Sequence, residues 1–161
     1  MEISDQNTTP EKINILYVDD EVNNLTAFKA NFRRDYKVFT AENALDGRKI
    51  VEDNNIHIII SDQRMPHMTG VEFFASILHD HPEPIRILLT GYADIEAVID
   101  AINRGQVYRY ITKPWDENEL RVTIDNAFEV FHLREENKRL MESLIHANKQ
   151  LEFMLRQKLL S

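Results

Sequence analysis

The sequence contains no cysteine, which excludes disulfide bonds and metal sites built on thiolates. Its six histidines show no spacing typical of metal ligands. Long apolar runs are also missing, since the longest falls far short of the ~20 residues that a membrane-spanning helix needs. The opening residues, MEISDQNTTPEK, lack the basic start and the apolar centre of a signal peptide. We therefore expect a cytoplasmic protein without membrane contact.

An excess of positive charge is absent as well. The formal net charge is -8 at pH 7, whereas a protein that binds DNA or RNA usually presents a basic patch. We expect no direct contact with nucleic acid. What is present is a chain of 161 residues with 43% hydrophobic and 29% charged residues. This composition is typical of one soluble domain with a modest appendage.

Apolar runs typical of buried strands occur five times along the chain. They span Ile13 to Val18, Tyr36 to Thr40, Ile56 to Ser61, Ile85 to Thr90 and Val107 to Ile111. The segments between them are long enough for helices and show helical periodicity, most weakly near 43–53. Strands that alternate with helices predict a doubly wound parallel sheet covered on both faces. In such sheets the functional site lies at the carboxyl ends of the strands.

Polar side chains stand at these predicted strand ends. Asp19 and Asp20 follow the first strand, and Asp62 follows the third in the stretch IHIIISDQRMP. Thr90 ends the fourth strand, and Lys113 comes shortly after the fifth. Each alone has an ordinary explanation, such as a helix cap, a turn or a solvated lysine. Together, at one edge of one sheet, they predict a functional site.

The chemistry of this set fits a phosphorylated carboxylate. An aspartate can attack phosphorus and form an acyl phosphate, but crowded carboxylates repel each other and the incoming phosphoryl group. A divalent cation such as Mg²⁺, which prefers oxygen ligands, would offset this repulsion. Lys113 would neutralise one phosphoryl oxygen, and the Thr90 hydroxyl would donate to another.

These motifs resemble the receiver domain of two-component response regulators. The resemblance rests on the Asp19-Asp20 pair, on Asp62 followed by RMPHMTG, on LLTGYAD with Thr90, and on YRYITKPW with Lys113. It covers roughly 12–131, most of the chain. It implies a five-stranded sheet in the order 2-1-3-4-5, the flavodoxin-like arrangement.

The resemblance also implies a phosphorylation site. A histidine kinase, a phosphotransfer protein or a small phosphodonor would supply the phosphoryl group to Asp62. Mg²⁺ would be held by Asp20, Asp62 and the backbone carbonyl of Arg64, with Asp19 acting largely through water. The family assists its own phosphotransfer and dephosphorylation only, so we expect no enzyme acting on a separate substrate.

A conformational switch is part of the same expectation. In the family, the residue that corresponds to Thr90 turns toward the phosphoryl group, and the aromatic ring at Tyr110 rotates inward. The Lys113–Pro114 bond is expected to be cis. Gly91 departs from the family, which usually has alanine there. Trp115 is interpreted as a packing anchor at the base of the last helix.

Two alternatives from other classes remain open. A haloacid-dehalogenase-like phosphatase would use Asp19 as its nucleophile, but that family needs an aspartate two positions later, where this chain has Glu21. The other alternative is a receiver that serves only as a phosphorylation-independent dimerisation scaffold. Labelling with a small acyl phosphate and Mg²⁺ separates these alternatives from the receiver hypothesis.

The helical pattern continues beyond the receiver, because neither proline nor glycine follows Pro114. A heptad repeat begins at Val130, and the residues at positions a and d are Val130, Leu133, Asn137, Leu140, Leu144, Ala147, Leu151 and Met154. We expect a parallel coiled-coil homodimer through 130–154, with Asn137 setting the register, and an output domain or effector protein beyond it. The predicted division is a flexible segment 1–11, a receiver domain 12–131 and a helical coiled-coil extension 132–161. A helix folded back on its own receiver is the alternative.

Overall fold

Strands and helices alternate five times along residues 12–161, the part of the chain that the computed structural model describes. The strands are β1 (Asn14–Val18), β2 (Lys37–Ala41), β3 (Ile58–Asp62), β4 (Ile85–Thr90) and β5 (Arg109–Thr112). The helices are α1 (Val22–Phe32), α2 (Ala44–Asp53), α3 (Gly70–Leu78), α4 (Ile95–Asn103) and α5 (Glu117–Leu160). A short 3₁₀ turn, Tyr92–Asp94, precedes α4. The predicted N-terminal segment 1–11 lies outside the described residues.

The five strands form one parallel sheet in the order β2-β1-β3-β4-β5, which confirms the predicted topology. The strand bounds differ from the apolar runs by at most about two residues, an ordinary uncertainty for element ends. The largest differences are at the starts of β3 and β5. The apolar runs there begin at Ile56 and Val107, which are buried but lie before the first hydrogen-bonded residue of each strand. An apolar run therefore reports burial rather than strand pairing.

The core consists of two apolar layers, one on each face of the sheet. Alternate residues of β1 point to opposite faces, so that Ile15 and Tyr17 enter one layer while Leu16 and Val18 enter the other. The first layer is covered by α1 and α5, with the buried residues Leu25, Phe28, Phe32, Leu120, Ile124 and Ala127. The second is covered by α2, α3 and α4, with the buried residues Val51, Phe73, Phe74, Ile77, Val98 and Ala101.

Helix α5 runs without interruption for 44 residues and belongs to the core only in its first part. Asp116 caps its start by accepting the Glu119 amide at 3.3 Å. Trp115 packs edge-on against Phe28, with ring centroids 6.3 Å apart, which is the anchoring role predicted for it. Phe131 contacts the ring of the buried His57 with centroids 5.0 Å apart.

The contact with His57 locates the point where α5 leaves the domain. His57 precedes β3 and so lies at the amino-terminal edge of the sheet, whereas Lys113, which precedes α5, lies at the carboxyl edge. The helix therefore crosses the sheet from the predicted site to the opposite edge and continues beyond it. Among the described residues, no helix combines the length and the apolar content that crossing a membrane requires.

Candidate functional site

The polar residues that were predicted at the strand ends lie together at the carboxyl edge of the sheet. Asp62 is the last residue of β3, and Thr90 is the last residue of β4. Asp19 and Asp20 directly follow β1, and Lys113 directly follows β5. This assembly results from the parallel topology, because every strand in such a sheet ends at the same edge.

Three of these residues form a compact acidic cluster. Asp19, Asp20 and Asp62 each offer one carboxylate oxygen, and the three oxygens lie within 4.8 Å of one another. Asp19 and Asp62 are buried, whereas Asp20 is exposed. Hard divalent cations such as Mg²⁺ bind through carboxylate and carbonyl oxygens, so the donor set fits this ion.

Lys113 is the cationic partner of Asp62. Its Nζ lies 2.5 Å from Asp62 Oδ1, and the following peptide bond to Pro114 is cis, as the resemblance implied. Burial raises the pKa of the Asp62 carboxyl above its ordinary value, Lys113 opposes this shift, and the neighbouring charges of Asp19 and Asp20 add to it. The ionised form of Asp62 therefore depends on positive charge supplied at the site.

Asp19 is held by three donors, none of which was predicted. Its Oδ2 accepts from the Tyr17 hydroxyl at 2.6 Å and from Asn24 Nδ2 at 3.1 Å. Its Oδ1 accepts from the Glu21 amide at 2.9 Å. Both lone pairs of Oδ2 are thus engaged, and Oδ1 keeps one lone pair for a further partner.

Tyr17 reaches Asp19 because residues two apart on a strand point to the same side. Its side chain is fully buried between β1 and α1, where its ring contacts Phe28 with centroids 4.6 Å apart. Burial and the hydrogen bond to Asp19 raise the pKa of the Tyr17 hydroxyl, so it stays a donor. The signal in the sequence was a single aromatic residue among the aliphatic residues of β1, two residues before an aspartate.

The two predicted switch residues lie on adjacent strands. The fully buried Thr90 hydroxyl donates to the carbonyl oxygen of Gly91 at 3.1 Å and so is engaged with the backbone. Tyr110 on β5 is half-buried and packs against the layer covered by α2, α3 and α4. Leu88 is the β4 residue paired with Tyr110, two positions before Thr90.

A cavity of about 530 Å³ opens above the acidic cluster. Asp20, Asp62 and Lys113 lie on its wall, together with Arg64 and Asp94 from two different loops. Arg64, which was predicted to supply a backbone carbonyl, uses its side chain to form an ion pair with Asp94, with Nε 3.0 Å from Oδ2. The pair joins the β3–α3 loop to the turn before α4, and its formation was not predicted.

Gly70, the first residue of α3, lies against the backbone of Asp62. A Cβ atom at Gly70 would lie 2.5 Å from the carbonyl oxygen of Asp62 and 2.6 Å from Leu88 Cδ1. Its amide donates to the Gln63 carbonyl at 3.0 Å. Only glycine permits this approach, so the position of the Asp62 backbone depends on it. The sequence shows Gly70 at the end of RMPHMTG but not what it contacts.

Comparison with known proteins identifies a family model that covers most of the chain. The response regulator receiver domain model matches residues 15–125. Over 124 residues the chain is 38% identical to the hydrogenase transcriptional regulatory protein HoxA of Bradyrhizobium diazoefficiens, a match that covers 77% of this chain and 26% of that protein. It is 33% identical to the transcriptional regulatory protein GlrR of Escherichia coli, over 71% of this chain and 26% of that one.

Solved structures agree with these relatives. A response regulator receiver domain protein from Clostridium thermocellum aligns with a TM-score of 0.71 and 31% identity, covering 75% of this chain and 98% of that one. The chain spans about a quarter of the length of the two transcriptional regulators, so the match concerns one part of those proteins.

Proposed function

Because the chain belongs to the response regulator receiver domain family of two-component signal transduction, we propose that it accepts a phosphoryl group on Asp62. The observation that carries this proposal is the position of Asp62, which lies close to the carboxylates of Asp19 and Asp20 and forms an ion pair with the ammonium group of Lys113. Its carboxylate also opens into the cavity at the carboxyl edge of the sheet, where a donor can reach it.

In the proposed reaction, a carboxylate oxygen of Asp62 attacks the phosphorus of a phosphohistidine on a kinase or phosphotransfer protein. The new P–O bond forms as the P–N bond breaks, and the electron pair of that bond goes to the departing imidazole. Lys113 lies beside Asp62 and neutralises charge on one phosphoryl oxygen. The Thr90 hydroxyl exchanges the Gly91 carbonyl for another phosphoryl oxygen, which moves the loop after β4.

The residues present fit a bound Mg²⁺ ion, because three carboxylate oxygens converge without enough positive charge to balance them. Asp20, Asp62 and the backbone carbonyl of Arg64 would hold it, and Asp19 would contribute through its Oδ1 atom. When bound, the ion supplies positive charge for the carboxylates and for the phosphoryl oxygens. Tyr17 and Asn24 orient Asp19 for this role.

Tyr110 would transmit the change at Thr90 to the surface formed by α4, β5 and α5. A groove there is lined by Tyr110 together with Ile102 and Val122, and Val122 is 59% exposed. A phosphorylation-dependent rotation of Tyr110 would change the shape of this groove and the side chains that it presents to a partner. Phosphorylation shifts the equilibrium between two states only by the difference in its contacts with them.

We also propose that the C-terminal helix forms a parallel coiled-coil dimer, with a receiver domain over 12–131 and a coiled-coil extension over 132–161. Val130, the first residue of the heptad seam, packs against the receiver core, but five later apolar residues of the seam are more than half exposed: Leu133, Leu140, Leu144, Leu151 and Met154. A single helix that exposes this stripe lacks the packing from which helices derive most of their stability. None of these five residues belongs to either apolar layer of the described receiver or packs against one, which supports a second copy over a folded-back helix.

The relatives HoxA and GlrR are transcriptional regulators, which supports an output domain or effector protein as the reader of this signal. The coiled coil leaves the receiver at the edge opposite Asp62. A kinase at one end and an output module at the other could therefore be engaged together.

The phosphorylation proposal is tested by incubation with a small acyl phosphate and Mg²⁺. We expect a stable acyl phosphate on the wild-type chain and none on Asp62→Asn, with mass spectrometry of the intact protein as the measurement. Rapid turnover that requires Asp19 would indicate a phosphatase instead. A complete lack of label on the wild type would instead support the alternative of a dimerisation scaffold that is not phosphorylated.

The dimer proposal is tested by light scattering on the full chain and on a version that ends at His132. We expect a dimer and a monomer respectively, because every seam position except Val130 lies beyond that residue. A monomeric full chain would refute the coiled coil. An equally dimeric truncated chain would move the interface to the receiver.

A further inference from the structure

The Arg64–Asp94 ion pair spans the mouth of the phosphorylation cavity. Arg64 lies two residues after Asp62, and Asp94 lies four residues after Thr90, so the pair connects the two loops that carry the proposed acceptor and the proposed switch residue. The Arg64 side chain is 75% exposed and that of Asp94 is 24% exposed. A pair this exposed is weak and exchanges partners readily.

Asp94 also holds the N-cap position of α4, and its side chain accepts no capping hydrogen bond there. At three of the other four helices the N-cap side chain accepts the amide three residues later. The donor pairs are Asp46 to Asn43 at 2.8 Å, Glu72 to Thr69 at 3.1 Å and Glu119 to Asp116 at 3.3 Å. The corresponding donor for Asp94 is the amide of Ala97. Aspartate is among the best capping residues, so Asp94 has a second partner available once it leaves Arg64.

Arg64 likewise has a second partner within reach once Asp62 is phosphorylated. Its side chain and Asp62 line the same cavity, where Lys113 is the other cationic group on the wall. A phosphoryl group carries nearly two negative charges and three acceptor oxygens, which a guanidinium binds through paired hydrogen bonds. It therefore competes with the singly charged Asp94 carboxylate for the same arginine.

We propose that phosphorylation of Asp62 draws Arg64 away from Asp94, and that the released Asp94 carboxylate then caps α4. This inference rests on the proposed function, because it requires a phosphoryl group on Asp62. Asp94 is thus a positioning residue with two alternative states. In one it holds Arg64 at the mouth of the cavity, and in the other it orders the first turn of α4.

The exchange requires a local change of backbone. Asp94 has φ −106° and ψ 8°, within the 3₁₀ turn Tyr92–Asp94, whereas the three capping residues have ψ between 134° and 167°. Rotation of ψ at Asp94 into the extended region therefore unwinds this turn. The turn begins two residues after Thr90, so a movement of Thr90 toward the phosphoryl group and the release of Asp94 act on the same segment.

The test measures exchange of the Ala97 amide with solvent deuterium by NMR, in the full chain. The protein is compared in its free form and with beryllium fluoride and Mg²⁺, which form a stable phosphoryl analogue on an aspartate. In the wild type we expect about a fivefold rise in protection of this amide, the ratio that one capping hydrogen bond provides. Acyl phosphate labelling is done first on a separate portion of the same preparation, so that a chain that cannot be phosphorylated is recognised separately.

Three variants isolate the role of the pair. Asp94→Ala removes both partnerships, so the Ala97 amide stays unprotected in both forms. Arg64→Gln and Asp94→Asn each break the ion pair but leave a side chain that can cap, so the amide is protected already in the free form. Asp100→Asn is the matched control, since it removes the same charge from an exposed ion pair with Arg104 on the same helix, and it behaves as wild type.

The decisive comparison is between the wild type and Asp94→Ala. A rise in Ala97 protection that persists in Asp94→Ala would overturn the inference, because the ordering of α4 would then not depend on the Asp94 side chain. Equal protection of the free wild type, Arg64→Gln and Asp94→Asn would overturn it as well. In either case, labelling of Asp62 in the first step would leave the proposed function intact.

Discussion

Asp62 lies where burial and like charges oppose its ionisation while one lysine supports it. Its side chain is nearly enclosed, two other carboxylates are within 4.8 Å, and Lys113 forms its ion pair. The pKa of Asp62 is raised as a net result, chiefly by burial. In the proposed reaction Asp62 acts through its charged form, and its environment disfavours that charge, a combination that is common at functional sites.

We predict that Asp62→Asn raises the melting temperature at neutral pH in the presence of a chelator. Because the pKa of Asp62 is higher in the folded than in the unfolded state, the stability that protonation contributes is present below the unfolded pKa. This contribution is lost as the pH rises through the folded pKa. At neutral pH the wild type therefore carries an unfavourable charge that asparagine lacks.

The measurement is thermal unfolding of both proteins across the acidic and neutral range. The advantage of Asp62→Asn should shrink as the pH falls through the folded pKa toward the ordinary carboxyl range. Asp100→Asn, at an exposed surface pair, serves as the control and should show little dependence on pH. A lower melting temperature for Asp62→Asn at neutral pH would contradict this account.

Tyr17 supports a second prediction, since its hydroxyl fixes the orientation of Asp19. Tyr17→Phe should weaken Mg²⁺ binding by about tenfold, the usual loss when a residue behind a metal ligand is removed. Tyr36→Phe is a matched control, because it also removes a tyrosine–aspartate hydrogen bond, the 2.7 Å contact with Asp125, but far from the cavity. Titration calorimetry measures both affinities, and an equal effect of the two substitutions would show that Tyr17 acts only through stability.

The first glycines after β3 and β4, Gly70 and Gly91, differ in how closely they are packed. Gly70 contacts the backbone of Asp62, whereas a Cβ atom at Gly91 would meet nothing within 4 Å. The backbone of Gly91, with φ −83° and ψ 167°, also suits any residue. One glycine is therefore required by packing and the other by nothing in the fold.

This contrast predicts opposite effects of the same substitution. Gly70→Ala should lower the free energy of unfolding by about 1–3 kcal/mol and displace Asp62, because overpacking forces backbone shifts. Gly91→Ala should raise it by about 0.4–1 kcal/mol by restricting the unfolded chain. Urea unfolding gives both values, and acyl phosphate labelling reports the position of Asp62. Full labelling of Gly70→Ala would argue against its supporting role.

At the scale of the whole molecule, helix α5 connects the receiver core at one end to an exposed helical extension at the other. At a rise of about 1.5 Å per residue its 44 residues extend for about 66 Å, of which the part from Leu133 to Leu160 is roughly 40 Å. The first turns pack on the sheet, and the rest extends from the edge opposite the acidic cluster. In the proposed dimer, a change at the receivers would reach a distant partner along this rod.

We predict that Asn137→Leu raises the melting temperature and broadens the distribution of oligomers. Asn137 is at an a position, where a buried asparagine lowers stability but fixes register and number of strands. Lys149→Leu introduces the same side chain on the outer face of the proposed coil and should leave a strict dimer. Sedimentation analysis distinguishes them, and a strictly dimeric, unshifted Asn137→Leu would show that Asn137 does not set the assembly.

The sequence by itself determined the five strands and the residues that meet at the carboxyl edge, while the strand order was implied by the resemblance to receiver domains. Apolar runs mark β1 to β5 because burial on both faces of a parallel sheet demands them. Asp62, Thr90 and Lys113 converge because parallel strands end at one edge. The start of α5 after its capping residue Asp116 and the length of the helix also follow from local patterns, namely the capping residue itself and the lack of later proline or glycine.

Only the tertiary structure decided which side chains touch across elements. Three sets of contacts join residues that hydrophobic periodicity does not connect. They are the hydrogen bonds from Tyr17 and Asn24 to Asp19, the ion pair of Arg64 with Asp94, and the close approach of Gly70 to the Asp62 backbone. Periodicity reports which face of one element is buried. Hydrogen bonds and ion pairs depend instead on rotamers and on loop paths, which are set when the elements pack together.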